Sequence, residues 1–272
     1  MSLRERLAEG RPVALDGGLS TALEELGADL NDRLWTARAL RDDPSLVVAA
    51  HKAFVAAGAE IVISASYQAP DDLLAESVRV ARQAGVLVAA SVAPYGASLA
   101  SGEEYTGDYE VPDGFHERRL RLLLAAEPDC IAVETQPRLD EAAAIVRLLE
   151  ELDAPDAWVT FTCPDGEHTA HGERIEDAIA AVESPKVVAV GVNCTAPRFV
   201  DELLRRARTV TDKPLIAYPN AGRTYDAASK TWSGGEQGWD VTDAQLVGGW
   251  CGIGPAALRS LIERRVSRAP LE

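Results

Sequence analysis

The feature that most constrains the fold is a series of eight short apolar segments, separated by stretches with helical periodicity. Each segment is rich in Val, Ile, Leu and Ala and most end at Gly, Pro, Asn or another polar residue. Near-continuous apolar segments are typical of parallel strands that crossover helices cover on both faces. The eight segments are residues 12–15, 60–65, 86–92, 130–133, 158–162, 187–192, 215–218 and 245–248.

The stretches between these segments predict helices at residues 44–58, 71–85, 137–152, 173–182 and 197–210. Eight strands alternating with helices in about 250 residues favour the α/β class and a (β/α)8 TIM barrel, with residues 1–272 as a single domain. An open doubly wound sheet is the alternative, but the glycine fingerprint it requires is absent after the first segment. Residues 220–243 are polar and rich in Gly, so we expect a long loop there with room for one helical turn.

Composition narrows the class of partner. With 43 acidic and 27 basic residues the net charge is −16, which disfavours nucleic acid or an anionic membrane surface. No apolar segment approaches the roughly 18–20 residues of a membrane span, and residues 1–10 do not resemble a signal peptide. These features predict a cytoplasmic protein with reduced thiols.

Three of the four cysteines follow predicted strands. The carboxyl ends of the strands in a barrel meet at one face, so Cys163, Cys194 and Cys251 are expected at a common mouth. Thiolates are preferred zinc ligands, whereas isolated cysteines are more often small buried hydrophobic residues. The sequence leaves both interpretations open, while Cys130, inside the fourth strand, is predicted to be core.

Two acidic residues also follow strands, Asp16 the first and Glu134 the fourth. A carboxylate beside Gly17 and Gly18 can accept from a ligand ammonium or hydroxyl, because glycine lets a ligand approach the backbone. A pair of carboxylates is also compatible with glycoside hydrolysis. Each acid alone is equally compatible with a helix cap or a buried ion pair.

Two weaker motifs have structural alternatives. The glycine-rich residues 249–255 could cradle phosphate, although the basic residue nearby is Arg259 alone. His168 and His171 are three residues apart, but Pro164, Gly166 and Gly172 predict a loop with solvent-exposed histidines.

Taken in order, the strand-end motifs resemble the homocysteine S-methyltransferases, in the branch that uses S-methylmethionine or S-adenosylmethionine as donor. The resemblance extends from Leu15 to about Leu261. The motifs that carry it are residues 15–21, 31–35, 65–69, 91–96, 134–135, 191–194, 218–222 and 248–251.

The resemblance implies a barrel that holds zinc at its mouth through three cysteines, at the positions of Cys194, Trp250 and Cys251. Homocysteine sulfur would take the open zinc position, and the zinc thiolate would attack the methyl group of a sulfonium to give methionine. The partners implied are thus a small-molecule thiol and a sulfonium donor. The site residues implied are Cys194 and Cys251 as catalytic metal ligands, with Asp16, Gly17, Gly18, Ser66, Tyr67, Glu134 and Asn193 binding substrate.

The resemblance departs at Trp250, which leaves two family thiolates where a catalytic zinc site usually has three protein ligands. Cys163, at the end of the fifth strand, is a candidate third ligand; the alternatives are a histidine from the loop at residues 168–171, a water molecule, or a site without metal. Two segments at the mouth are also shorter than in the family, one after the second strand, at residues 69–71, and one before the eighth strand, at residues 233–243. The sequence therefore supports two classes of function, a zinc-dependent thiol methyltransferase and a family member with a disrupted zinc site. The latter would be a small-molecule binding or regulatory protein, or a metal-free enzyme.

Overall fold

The computed structural model describes residues 1–30, 36–222, 224–226, 231–233 and 243–266. Eight parallel strands form one sheet in the order β1-β10-β7-β6-β5-β4-β3-β2, and a bridge from Leu15 to Ile61 brings its two edges together into a nearly closed barrel. Every predicted apolar segment overlaps one of these strands, so the predicted (β/α)8 barrel is confirmed. The strands are β1 (Val13–Ala14), β2 (Ile61–Ile63), β3 (Leu87–Val92), β4 (Cys130–Gln136), β5 (Ala157–Phe161), β6 (Val187–Asn193), β7 (Leu215–Tyr218) and β10 (Leu246–Val247), with a separate hairpin of β8 (Thr224–Asp226) and β9 (Thr231–Ser233).

Helices surround the barrel, and the five predicted helices correspond to α4, α5, α8, α9 and α10. Local sequence explains their ends: α4 begins with Pro44 in its first turn and ends at Gly58, whose φ of 111° is left-handed. The helices are α1 (Leu3–Ala8), α2 (Leu19–Glu25), α3 (Thr36–Asp42), α4 (Pro44–Ala57), α5 (Asp71–Arg82), α6 (Tyr95–Leu99), α7 (Phe115–Leu124), α8 (Leu139–Glu151), α9 (Ile175–Ala181), α10 (Pro197–Ala207) and α11 (Pro255–Val266), with a 3₁₀ turn at Glu103–Tyr105.

Helix α1 closes the end of the barrel at which the strands begin. Ser2 and Glu5 form a capping box at its start, and Leu3 and Leu7 are buried in the inner core of the barrel. Arg4 binds Asp156 at 2.6 Å and so fastens the helix to the loop before β5. Because this end is covered, a ligand must enter at the opposite end, where the strands finish.

The prediction for residues 220–243 needs correction. In its described part the segment contains the antiparallel hairpin of β8 and β9, with Tyr225 opposite Trp232, and not a helical turn. Thr, Tyr and Trp favour extended backbone, which accounts for the hairpin. Much of the segment before the eighth barrel strand lies outside the described residues, and after β2 helix α5 begins at Asp71. That both segments are shorter than in the family stays a prediction.

None of the helices in the described ranges is long and apolar enough to cross a membrane.

Candidate active site

A small cavity opens at the carboxyl ends of the strands. Its wall combines the two predicted carboxylates with one of the predicted thiols and with Trp250. Among the described residues the lining is Asp16, Gly17, Gly18, Leu19, Ser20, Thr36, Ile63, Ser64, Ala65, Tyr67, Glu134, Trp250 and Cys251.

Asp16 presents one carboxylate oxygen without a partner. Its side chain is 2% exposed, and Oδ2 accepts a 2.9 Å hydrogen bond from the amide of Ile63, whereas Oδ1 is buried with no hydrogen bond. Burial, and secondarily the charge of Glu134, raises the pKa of Asp16 well above its ordinary value. An ammonium group bound in the cavity would satisfy Oδ1 and stabilise the ionised carboxylate.

Behind Asp16, His51 on α4 is completely buried, and neither ring nitrogen has a hydrogen-bond partner. Its Nδ1 lies 3.9 Å from Oδ2 of Asp16. Burial lowers the pKa of His51 to about 4, so the imidazole is neutral at pH 7 and offers no compensating charge to Asp16.

Glu134 lies in a chain of hydrogen bonds that spans strands β3 to β7. Its Oε1 is 2.5 Å from the Ser91 hydroxyl and its Oε2 is 2.9 Å from the Tyr218 hydroxyl. Tyr218 in turn lies 2.9 Å from Oγ1 of Thr160, which donates to the Oδ1 of Asn193 at 2.8 Å. The chain thus connects the predicted substrate carboxylate to the residue that precedes Cys194.

Burial decides the protonation form of Glu134. The Ser91 and Tyr218 hydroxyls donate to its two carboxylate oxygens, and these hydrogen bonds favour the ionised form. Burial outweighs both hydrogen bonds and raises the pKa of Glu134 to about 8, so in the ligand-free protein the carboxyl is mostly protonated at pH 7.

We expect Glu134→Gln to flatten the pH dependence of stability in the ligand-free protein. The ordinary pKa of 4.5 rises to about 8 on folding, so the native carboxyl binds a proton that the unfolded chain releases between these values. As the pH rises from 5 to 8, the free energy of unfolding of the native protein should therefore fall, relative to that of the variant, by up to about 1.4 kcal/mol per pH unit. Urea unfolding across this range measures it. Glu151→Gln, at an exposed position, is the control. If the difference in unfolding free energy between the native protein and Glu134→Gln does not change with pH, the raised pKa of Glu134 is contradicted.

Asn193, at the end of β6, forms hydrogen bonds with Thr135, the residue after Glu134 in β4. Its Oδ1 accepts from the amide of Thr135 at 2.7 Å, and its Nδ2 donates to the Thr135 hydroxyl at 2.8 Å. Thr135 has a left-handed φ of 57°, a conformation that costs non-glycine residues free energy. Since the side-chain oxygen and nitrogen are both engaged, Asn193 is a positioning residue in the free protein. Its predicted contact with substrate stays a prediction.

Cys194 and Cys251 are brought together at the mouth. A hydrogen bond with Cys251 and burial raise the pKa of the Cys194 thiol well above its ordinary value. The Tyr105 hydroxyl lies 3.5 Å from the Cys194 sulfur. Cys194 also has a left-handed φ of 47°, and its carbonyl accepts from Nδ2 of Asn220 at 3.1 Å. The backbone therefore holds this thiol in a constrained position.

Cys163 is placed differently. It is buried in the hydrophobic core between strands and helices, where its amide donates to the Thr195 hydroxyl at 3.0 Å, and burial raises its thiol pKa well above the ordinary value. Within the described ranges, no three Cys, His, Asp or Glu side chains are arranged to hold a metal ion. These residues therefore do not fit the three-cysteine zinc site that the resemblance implies. Cys163 as third ligand stays a prediction, and Cys130 lies in the inner core, as predicted.

Trp250 is part of the cavity wall. Its indole makes edge-to-face contacts with Tyr67 and Tyr218, with ring centroids 5.7 Å and 5.6 Å apart. Its amide donates to the carbonyl of Pro219 at 2.9 Å. The ring is thus integrated into the aromatic wall between β2 and β7.

The glycines at the mouth serve packing within the chain. A Cβ on Gly17 would lie 2.4 Å from the carbonyl oxygen of Ile253, and one on Gly18 would lie 2.5 Å from that of Trp250. Both glycines line the cavity, but the space their missing side chains leave is filled by protein backbone and not by a ligand. Their predicted contact with substrate stays a prediction.

The loop after β2 carries Ser66 and Tyr67. The Ser66 hydroxyl donates to the carbonyl of Ser91 at 2.8 Å, which directs it into the barrel wall, while Tyr67 faces the cavity with its hydroxyl buried and unpaired. Arg119 on α7 donates to the carbonyls of Ser66 and Ala69 at 3.1 Å and 2.9 Å. Sequence reasoning missed Arg119, because a buried arginine on a charged helix looks like a surface residue.

The two weaker motifs serve packing and surface contacts. A Cβ on Gly254 would lie 2.3 Å from a carboxylate oxygen of Glu25. An acid therefore lies against the glycine-rich residues 249–255, which disfavours phosphate there. His168 and His171 lie in a loop as predicted, partly exposed, beside Asp165 at 3.2 Å and Glu173 at 2.8 Å.

A family model described as homocysteine S-methyltransferase matches residues 13–265. The chain belongs to the homocysteine S-methyltransferase family. Homocysteine S-methyltransferase 2 of Zea mays is 41% identical over 314 aligned positions, covering 97% of this chain and 92% of that protein. The alignment is longer than this chain, so the maize protein has residues that this family member lacks.

Other relatives have the same kind of activity in their names. Selenocysteine Se-methyltransferase of Brassica oleracea var. italica is 38% identical and covers 99% of this chain and 94% of its own length. The metallated form of the homocysteine methyltransferase MmuM from Escherichia coli has a TM-score of 0.85 at 35% identity, covering 96% of this chain and 99% of that one. These relatives support an enzyme that methylates a thiol. Residues 31–35, one of the motifs that carry the resemblance, lie outside the described residues.

Proposed function

We propose that this protein transfers a methyl group from S-methylmethionine or S-adenosylmethionine to a thiol such as homocysteine, giving methionine. The observation that carries the proposal is the unpaired Oδ1 of Asp16 in a cavity that also contains Glu134 and Cys251. This arrangement offers a site for the ammonium of an amino acid close to a place for its sulfur.

In the proposed reaction, the ammonium of the acceptor binds Asp16 and Glu134, and its side chain extends towards Cys194 and Cys251. The acceptor sulfur, having lost its proton to solvent, forms a bond to the methyl carbon. The bond from that carbon to the donor sulfonium breaks, and its electron pair stays on the donor sulfur, which becomes a neutral thioether. The protein accelerates this transfer mainly by fixing both reactants in line.

Zinc binding is a separate question from methyl transfer, because the two clustered thiols are one fewer than the three that the resemblance implies. The metallated form of the Escherichia coli relative supports a metal in the family fold. We infer that zinc binding here needs a third ligand beyond Cys194 and Cys251, with Cys163 as the candidate from the sequence. A cytoplasmic location also stays a prediction.

The alternative function is a binding or regulatory protein that retains the amino-acid pocket without methyl transfer. Trp250 favours it, because an indole with two aromatic contacts stands where the resemblance places a zinc ligand. Both functions require an amino acid to bind at Asp16, and they differ in turnover.

Isotope transfer distinguishes the two functions. The protein, with zinc supplied, is incubated with homocysteine labelled with ¹³C in its carbon chain and S-methylmethionine labelled with deuterium in its methyl groups. The methyltransferase should yield methionine that carries both labels, and Cys194→Ser should reduce its formation by at least about 100-fold. Cys130→Ser, a change in the inner core, is the control. Stabilisation by homocysteine without doubly labelled product would favour the binding function.

A further inference from the structure

Outside the predicted site, one buried carboxyl has no partner for one of its oxygens. Glu104 is 6% exposed, in the 3₁₀ turn at Glu103–Tyr105, and its Oε2 is buried with no hydrogen bond. Burial, and secondarily the charge of Glu103, raises the pKa of Glu104 to about 7. A buried carboxyl oxygen without a hydrogen bond costs free energy, unless a ligand forms a hydrogen bond or ion pair with it.

The turn that carries Glu104 is held in place. A Cβ on Gly96 would lie 2.7 Å from the amide nitrogen of Glu104, so the turn packs directly on α6. Further along, Arg138 donates to the carbonyls of Gly107 and Tyr109 at 3.1 Å and 2.7 Å. Glu141 accepts from the amide of Tyr95 and the hydroxyl of Tyr109, both at 2.6 Å, and so fixes the beginning and end of the segment.

This position brings the turn that carries Glu104 to the thiols. The neighbouring Tyr105 places its hydroxyl 3.5 Å from the Cys194 sulfur. The charge of Glu104 reaches Tyr67 and Cys194, and it helps to raise the pKa of each. Glu104 is thus within electrostatic reach of the Cys194 thiol and of Tyr67, whose ring contacts Trp250.

A carboxylate beside aromatic rings is suited to a cation that has no hydrogen to donate. The face of an aromatic ring attracts such cations, as it does quaternary ammonium groups. Tyr67 and Trp250 provide the rings here, with centroids 5.7 Å apart. A sulfonium has the same character, since its charge is surrounded by carbon substituents.

We propose that Glu104, with the rings of Tyr67 and Trp250, forms the subsite for the sulfonium of the methyl donor. The inference rests on the proposed function and adds the residues that select a charged donor. On this view Trp250 contributes to donor binding in the position where the resemblance places a metal ligand.

Binding calorimetry with two ligands of nearly the same shape tests the subsite. S-methylmethionine carries the sulfonium, and 2-amino-5-methylhexanoic acid replaces the charged sulfur with a neutral carbon. The native protein should bind the sulfonium at least about 10-fold more tightly than the neutral compound. Glu104→Gln should abolish this ratio and change the affinity for the neutral compound by less than about 2-fold. Glu104→Asp, which keeps the charge, should preserve part of the ratio.

Glu103→Gln is the matched control, one residue away in the same turn, and it should leave both affinities unchanged. Circular dichroism establishes that each variant is folded. The proposal is overturned if Glu104→Gln retains the native ratio, or if the native protein does not distinguish the two ligands. Since binding alone is measured, a protein that fails the isotope-transfer test can still pass this one, and the reverse also holds.

Discussion

Replacing Trp250 with cysteine is expected to raise the affinity for zinc by at least about 100-fold, because it adds a third thiolate to Cys194 and Cys251. Zinc per chain after reconstitution and gel filtration should reach one in the variant and stay below one in the native protein. The indole contacts with Tyr67 and Tyr218 are lost, at a cost of about 1–3 kcal/mol in stability, so thermal unfolding is measured in parallel.

Trp250→Ser is the control for the removal of bulk, since it opens the same space without adding a thiol. Equal zinc binding by the serine and cysteine variants would contradict the role of the third thiolate. The zinc content of the native protein also tests whether Cys163 is a ligand. If it holds stoichiometric zinc and loses it in Cys163→Ser, Cys163 is the third ligand despite its place in the core.

Asp16→Asn is expected to weaken homocysteine binding by about 100-fold, because a bound ammonium loses its buried carboxylate partner. The amide oxygen of asparagine can still accept from Ile63, so the backbone contact survives. Calorimetry under reducing conditions measures the dissociation constants for homocysteine and for 4-mercaptobutanoate, which lacks the amino group.

The variant should bind 4-mercaptobutanoate about as well as the native protein does, since no ammonium is present. Asp165→Asn, in the exposed loop after β5, should change neither affinity. An equal loss for both ligands would show that Asp16 acts through the structure and not through contact with the ammonium.

The barrel was predictable because each strand overlaps a short apolar segment and five of the described helices lie in stretches with helical periodicity. Asp16, Glu134 and the two thiols followed from the same logic, since residues after parallel strands share one face. Cys163 shows the limit of that logic: it follows β5, yet its thiol is in the outer core, because the direction of a side chain after a strand depends on the local backbone.

Glu104 was not predictable for a related reason. It stands beside Glu103 in an acidic, glycine-containing stretch, a pattern typical of a solvent-exposed loop. Its burial depends on contacts with α6 and on the distant anchors Arg138 and Glu141, which no local pattern reveals. The hydrogen-bond role of Asn193 was hidden likewise, because its partners Thr135 and Thr160 come from other strands.

The chain of hydrogen bonds from Ser91 to Asn193 joins five neighbouring strands, whereas Glu104 lies on a connecting turn outside it. The acceptor half of the site, around Glu134, and the proposed donor half, around Glu104, are thus under different constraints on mutation. A change at Glu134 or Tyr218 must be accommodated by several partners at once, so the acceptor half should resist stepwise alteration. The turn at residues 103–105 can be exchanged without touching those strands, which makes it the natural place to engineer, or for evolution to find, a new methyl donor.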